Sequence, residues 1–238
     1  MDASARPARR RRVVRHLGTA LIVLGVLVLA WTFVVWRWND PFTGLYTRWE
    51  QHKLARQYAS LVSHYHVHRI PPRATVAESE RAIESEARRF RAHALQGDAI
   101  GKILVPRLGL DMVLVNGTDH DSLTRGPGRD LRTYMPGEGE LIYIAGHRTT
   151  YLAPFAHIDE LRPGDLVALR MPYATFRYIV TGHEIVKADA LWVLRSHHRE
   201  VLALQACHPR FFATHRYIVW ANPIRVMPRD GRPYIPNA

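Results

Sequence analysis

Cysteine is almost missing from this chain: Cys207 stands alone among 238 residues. A single thiol closes no internal disulfide, so the fold gains nothing from a covalent staple. Lysine is nearly as scarce. Lys53, Lys102 and Lys187 are the three lysines among 33 cationic side chains, a skew that reads as a GC-rich genome rather than a binding device. The net charge of +12 divides into +5 from residues 1–16 (six arginines less Asp2) and +7 from all that follows. That second share contains no block of five like charges, so nucleic acid finds no basic stripe and is excluded as a partner. Asp119-His120-Asp121 and His197-His198 lack the spacing of a metal site, which leaves them as loop surface. No internal repeat is apparent.

One long apolar run is present. Leu17 to Trp36 is 20 residues without a charge, enough to span about 30 Å as a helix. Arg6, Arg9, Arg10, Arg11, Arg12 and Arg15 precede it, and Trp31, Trp36 and Trp38 lie near its far end, where indoles favour the interface. The positive-inside bias predicts a cytoplasmic tail over 1–16, a single transmembrane helix over 17–38, and everything later outside. A cleavable signal peptide is the competitor, but its apolar core is usually about 7–15 residues with a small-residue site behind it. In an exported domain a leftover thiol has three readings: pairing between chains, an inert buried group, or a reactive centre.

Asn39-Asp40-Pro41 should break the first helix. Leu45, Trp49, Leu54, Tyr58 and Leu61 mark a helical face over about 43–63. Thr75 and Glu78 have capping-box spacing and open a further helix toward Leu95, with acids early and arginines late as the dipole favours. Residues 39–98 thus read as a helical stalk or membrane-proximal appendage, with disorder open for 64–75.

From about residue 99 the period becomes strand-like. Runs at 102–105, 112–115, 141–145, 166–170, 176–186, 201–206 and 217–221 alternate with breaks such as Asn116-Gly117, Gly126-Pro127-Gly128 and Pro163-Gly164-Asp165. The expected class is mainly β, a sandwich or closed barrel over 99–238.

Two of these runs end on reactive groups. Leu141-Ile142-Tyr143-Ile144-Ala145-Gly146-His147 finishes in an imidazole, and Leu202-Ala203-Leu204-Gln205-Ala206-Cys207 finishes in the thiol. A thiolate attacks a carbonyl, an imidazole can take its proton and later protonate a leaving amine, and a guanidinium holds a developing oxyanion. Arg216 lies a loop's length beyond Cys207. By spacing alone Arg210 could fill the same place.

The residues themselves reach further. Gly101-Lys102-Ile103-Leu104-Val105-Pro106, Ile144-Ala145-Gly146-His147-Arg148-Thr149-Thr150-Tyr151, Leu161-Arg162-Pro163-Gly164-Asp165, Cys207-His208-Pro209-Arg210-Phe211 and Arg216-Tyr217-Ile218-Val219 occur in one register. About half the chain in this way resembles the sortase family, most closely the class E sortases of actinobacteria. Asp40-Pro41-Phe42-Thr43 resembles that class too. The resemblance implies an eight-stranded β-barrel cysteine transpeptidase that needs no metal or organic cofactor. It implies Cys207 as nucleophile, His147 as general acid/base, and Arg216 on the oxyanion or substrate. Ala206, Gln205, Thr149 and Tyr151 become candidate substrate contacts. The implied partners are secreted proteins with a C-terminal sorting signal and an amine from a cell-wall precursor or pilin, at the membrane. Two positions depart from the pattern: Ala206 stands where a threonine is usual, and Arg129 where a histidine often follows Gly-Pro-Gly. A scaffold that binds envelope components without turnover is the alternative reading. An L,D-transpeptidase would need Ser-His-Gly-Cys, which is missing.

Overall fold

The structure is a computed structural model that describes residues 6–38 and 41–236. Asn39 and Asp40 of the expected break, and Asp2 of the tail, lie outside the described residues. So do the side chains of Trp36 and Trp38. The chain divides into two compact units at Pro41 and Phe42.

The first unit is one helix, α1 (Arg6–Trp38). Its stretch Arg11–Val34 is long and apolar enough to cross a membrane. Within it the hydroxyls of Thr19 and Thr32 donate to the carbonyls of Arg15 and Val28, at 3.0 and 2.8 Å. Both hydroxyls are thereby satisfied by the helix's own backbone.

The second unit is built on eight strands: β1 (Ala99–Val105), β2 (Leu110–Asn116), β3 (Gly128–Arg129), β4 (Leu141–Ala145), β5 (Leu166–Arg170), β6 (Ala174–Lys187), β7 (Val201–His208) and β8 (His215–Pro228). They close into a barrel in the order β1-β2-β3-β4-β7-β8-β6-β5. β2/β3 and β4/β7 are parallel, and the other pairings are antiparallel. Closure pairs every strand on both sides, although two-residue β3 covers only the end of β2. Period-two alternation sends Ile142, Ile144, Leu202, Leu204, Phe176 and Val219 into one interior core.

Seven of the eight strands follow from the hydrophobic pattern. β3 does not, because it is two residues long and falls in the Gly126-Pro127-Gly128 break. It exists because it pairs on both sides: Gly128 with Val115 and Ala145, Arg129 with Asn116 and Ile144. Here glycine is required by space. A Cβ on Gly128 would sit 2.0 Å from the Gly117 carbonyl oxygen. β8 runs past the expected Ala221 because the sheet absorbs Pro223 at a register shift opposite Arg177 and Tyr178.

α2 (Pro41–His64) and α3 (Val76–His93) lie on the barrel wall. β3 covers only the end of β2, so the main chain at Val113 would lack a partner strand. Gln51 of α2 supplies one: its Oε1 accepts from Val113 N at 2.7 Å and its Nε2 donates to Val113 O at 3.1 Å. Leu54 is fully buried against Ala99, Val113 and Val115, and Tyr58 donates to the Arg170 carbonyl at 2.8 Å. Thr75 and Glu78 form the expected capping box, and α3 buries Ile83, Ala87 and Phe90 in the barrel core. Between the two helices, Ile70 is buried and its N–H donates to the Asp230 carbonyl at 3.3 Å.

Candidate active site

Cys207 is the next-to-last residue of β7, and its register partner on β8 is Arg216. On the other flank β4 runs parallel to β7 with Ala145 opposite Gln205. Gly146 N extends that ladder by donating to Gln205 O at 3.0 Å, which carries His147 alongside Cys207. Gly146 is the residue this approach permits, since a Cβ there would meet the Phe155 ring at 2.6 Å.

Side-chain parity decides which face the three residues occupy. Leu202, Leu204 and Ala206 point into the barrel. Ala203 points outward and joins Leu141, Tyr143 and Ile218 in a second apolar cluster, covered by Val193 of the 3-10 turn Leu191–Leu194. Gln205 and Cys207 continue this outer row, Arg216 shares it with Ile218, and His147 with Tyr143 and Ala145. The result is a groove of about 280 Å³ lined by His147, Cys207, Arg216, Gln205 and Lys187, among others. Arg210 is not among its lining residues.

Burial pushes the His147 imidazole below its ordinary range, and the neighbouring His120 pushes it the same way. Both influences favour the neutral ring, and its buried Nε2 has no hydrogen-bond partner. A neutral imidazole with an open nitrogen can accept a proton. The Arg216 guanidinium uses Nη1 on the carbonyls of Ala213 and His215, at 2.8 and 3.0 Å. These bonds fix the side chain and leave Nε and Nη2 for an incoming acyl oxygen.

Arg148 is a structural participant that spacing alone does not reveal. It is 4% exposed. It pairs with Asp159 at 2.7 Å and donates to the Cys207 carbonyl at 3.3 Å and to His208 Nδ1 at 3.0 Å. Because arginine can only donate, His208 accepts at Nδ1. Burial and Arg148 both press the His208 imidazole toward its neutral form, in keeping with that role. Arg148 so ties the segment bearing His147 to the main chain bearing Cys207. The one sequence signal for it is its place directly after His147.

The other expected contacts divide. Gln205 lines the groove. Ala206 does not: it is fully buried in the barrel core, because it has the opposite parity from Cys207. A hydroxyl there would meet core side chains rather than substrate. Thr149 and Tyr151 lie outside the groove lining, and the Tyr151 ring is inclined against the His147 ring at 5.0 Å between centroids. Arg129 is buried too. It donates to Asn116 Oδ1 at 2.7 and 3.0 Å and to the carbonyls of Asp130 and Thr133, so this departure serves the barrel and not the groove. Among the described residues no group of three His, Cys, Asp or Glu side chains could hold a metal ion.

A thiol, an imidazole and a guanidinium at one rim of a closed barrel define a candidate thiol acyl-transfer centre. Comparison with known proteins supplies the family. The sortase domain matches residues 103–224, just over half of the chain, and the chain belongs to that family. Sortase D of Bacillus subtilis is 34% identical over 128 residues, which are 52% of this chain and 63% of that protein. Sortase SrtE1 of Streptomyces coelicolor is 28% identical over 114 residues, 43% of this chain and 32% of that protein. The chain thus spans less than two thirds of the length of either curated relative. Among solved structures, the SrtA sortase from Actinomyces oris superposes with a TM-score of 0.53 at 29% identity, over 58% of this chain and 86% of that one. A Clostridium perfringens sortase D5 transpeptidase reaches a TM-score of 0.59 at 24% identity, over 74% and 98%. At that identity the likeness concerns the fold.

Proposed function

We propose that this protein is a membrane-anchored thiol transpeptidase. Its substrate is a C-terminal sorting signal of the Leu-(Pro or Ala)-x-Thr-Gly kind, cut between Thr and Gly. His147 takes the proton of the Cys207 thiol as Sγ attacks the threonine carbonyl. Arg216 holds the oxyanion of the tetrahedral intermediate. The intermediate collapses to a thioester, the C–N bond to glycine breaks, and His147 returns the proton to the leaving amine. An amine of a cell-wall precursor or a pilin then attacks the thioester and restores the thiol. Gln205 contacts the bound peptide from the groove floor.

The observation that carries this reading is the cross-strand pair Cys207–Arg216 with His147 delivered beside it by β4, all three opening into one groove. The apolar stretch of α1 and the arginines at its N-terminal end support a single-pass anchor with a cytoplasmic N-terminus and an extracellular barrel. The Gly-His-Arg-Thr-Thr-Tyr segment and Pro41-Phe42-Thr43 support class E. The test uses the full chain in detergent micelles with Leu-Pro-x-Thr-Gly and Leu-Ala-x-Thr-Gly peptides and an oligoglycine amine. Cleavage at Thr-Gly, an acyl adduct on Cys207 by mass spectrometry, and the transpeptidation product are expected. A folded protein that cleaves neither peptide and carries no adduct sinks the proposal.

A further inference from the structure

No hydrogen bond from any described residue orients the His147 ring. A working histidine is ordinarily held by a carboxylate or carbonyl on its other nitrogen, so something else must fix this one. Tyr151 is the group in place. Its ring lies 5.0 Å from the His147 ring, with the planes inclined by 38°. His120 packs edge-on against its other side at 6.3 Å.

Tyr151 is itself held in an unusual backbone. Tyr151, Leu152 and Ala153 have φ of 53°, 62° and 41°, the left-handed region that costs an L-residue roughly 1–2 kcal/mol each. Such a run persists only where its surroundings over-determine it. Within the loop, Ala153 N donates to Thr150 O at 2.8 Å and Phe155 N to His147 O at 3.1 Å. The remaining tie comes from 108 residues earlier: Tyr151 N donates to Thr43 Oγ1 at 3.0 Å. Thr43 belongs to the first turn of α2. That helix is anchored by Thr47 on the Thr124 carbonyl at 2.8 Å, by Gln51 on Val113, and by buried Leu54.

Resting on the proposed role of His147, we propose that Tyr151 is a positioning residue for that imidazole, and that α2, through Thr43, belongs to the reacting unit rather than to a spacer. The helix holds the loop, the loop holds the tyrosine, and the tyrosine sets the ring that faces Cys207 and Arg216. A misplaced general base can cost up to about 10²-fold in rate while substrate binding is kept.

The experiment uses the full chain in nanodiscs, with Thr43→Ala, Thr43→Ser, Tyr151→Ala and Tyr151→Phe. Histidine NMR follows the His147 titration, and peptide cleavage gives kcat and KM across pH. The titratable and charged groups around His147 are His120 beside it and Asp130, Arg132, Lys187, Cys207 and Arg216 in the lining of the same groove, and all are retained. Tyr151→Ala should lower kcat about tenfold with KM within about twofold. It should also move the His147 titration upward toward 6.5 as the ring gains water. Thr43→Ala should act in the same direction by about threefold, and both Thr43→Ser and Tyr151→Phe should recover most of the loss. The proposal is overturned if folded Thr43→Ala and Tyr151→Ala keep the parent titration and kcat, or if Thr43→Ser loses as much as Thr43→Ala. Should Tyr151→Ala not fold, the Thr43 pair decides. If the parent cleaves no peptide, the transpeptidase reading fails alone, and the titration arm still tests the positioning.

Discussion

Two regions of the barrel bury ionisable side chains and treat them differently. Behind α3, Glu200 is enclosed by Tyr178 OH at 2.7 Å and the N–H groups of Gly137 and Gly139 at 2.8 and 3.4 Å. Nearby, Glu138 accepts from Arg91 Nε at 2.8 Å and from Met135 N at 2.9 Å. Arg129, pushed down to about 10 by burial and by Arg91, spends its donors on a carboxamide and two carbonyls. At the groove, His147 Nε2 is buried with no hydrogen bond. A satisfied polar cluster specifies a fold, whereas an unsatisfied buried atom at a solvent-reachable groove costs stability until a ligand meets it. The first region is therefore structural, and the second keeps a nitrogen open to a ligand, as the proposed function requires.

Substitutions can break that contrast. The largest effect should come from the groove. Cys207→Ala should reduce turnover by at least about 10⁴-fold and His147→Ala by a comparable factor, with unfolding midpoints near the parent's. Arg216→Ala should cost about 10²–10³-fold in kcat. Equal loss of thermal stability in these variants would place the groove with the structural cluster instead. Next, Glu138→Gln should leave cleavage intact and cost about 1–2 kcal/mol in urea unfolding, because it weakens the charge-assisted bond that buried Glu138 accepts from half-exposed Arg91. Unchanged stability there would show that the pair is dispensable.

Ala206→Thr should cost about 1–3 kcal/mol by overfilling the core, with KM for the peptide unchanged. A lowered KM would mean that residue 206 reaches the groove after all. The smallest effect is a pair of opposite pH slopes. His147 has a depressed folded value, so the unfolded chain binds the proton more readily, and stability rises with pH up to about 6.5. Burial raises Glu200 above the ordinary 4.5, so the folded state keeps its proton longer, and stability falls as pH climbs through that raised value. Unfolding free energies against pH for His147→Gln and Glu200→Gln should each lose one of the two slopes.

The contrast was only half legible in the chain. Seven strands, α2, the capping box of α3 and the apolar helix all follow from periodicity, because a repeat of 2.0 or 3.6 residues is a local property. His147, Cys207 and Arg216 emerge because each ends or begins such a run inside a motif with a family resemblance. β3 stayed hidden because two residues are too few for any period. Ala206 is a candidate substrate contact only through the resemblance, which puts a threonine hydroxyl at that position. Adjacency along a strand means opposite faces, and parity could not be turned into inside or outside before the barrel closed. The docking of α2 stayed open for the same kind of reason, since Gln51 is an ordinary polar residue until Val113 is seen without a strand partner.

The sequence by itself determined the elements, the anchor-like helix and the three reactive groups, since each is written in composition and short-range pattern. Only the tertiary structure decided which face of β7 lines the groove, that Arg216 and not Arg210 borders it, and that Thr43 reaches Tyr151 across 108 residues. Those facts depend on strand register and on contacts between segments far apart in the chain, and no local pattern encodes where a barrel will close.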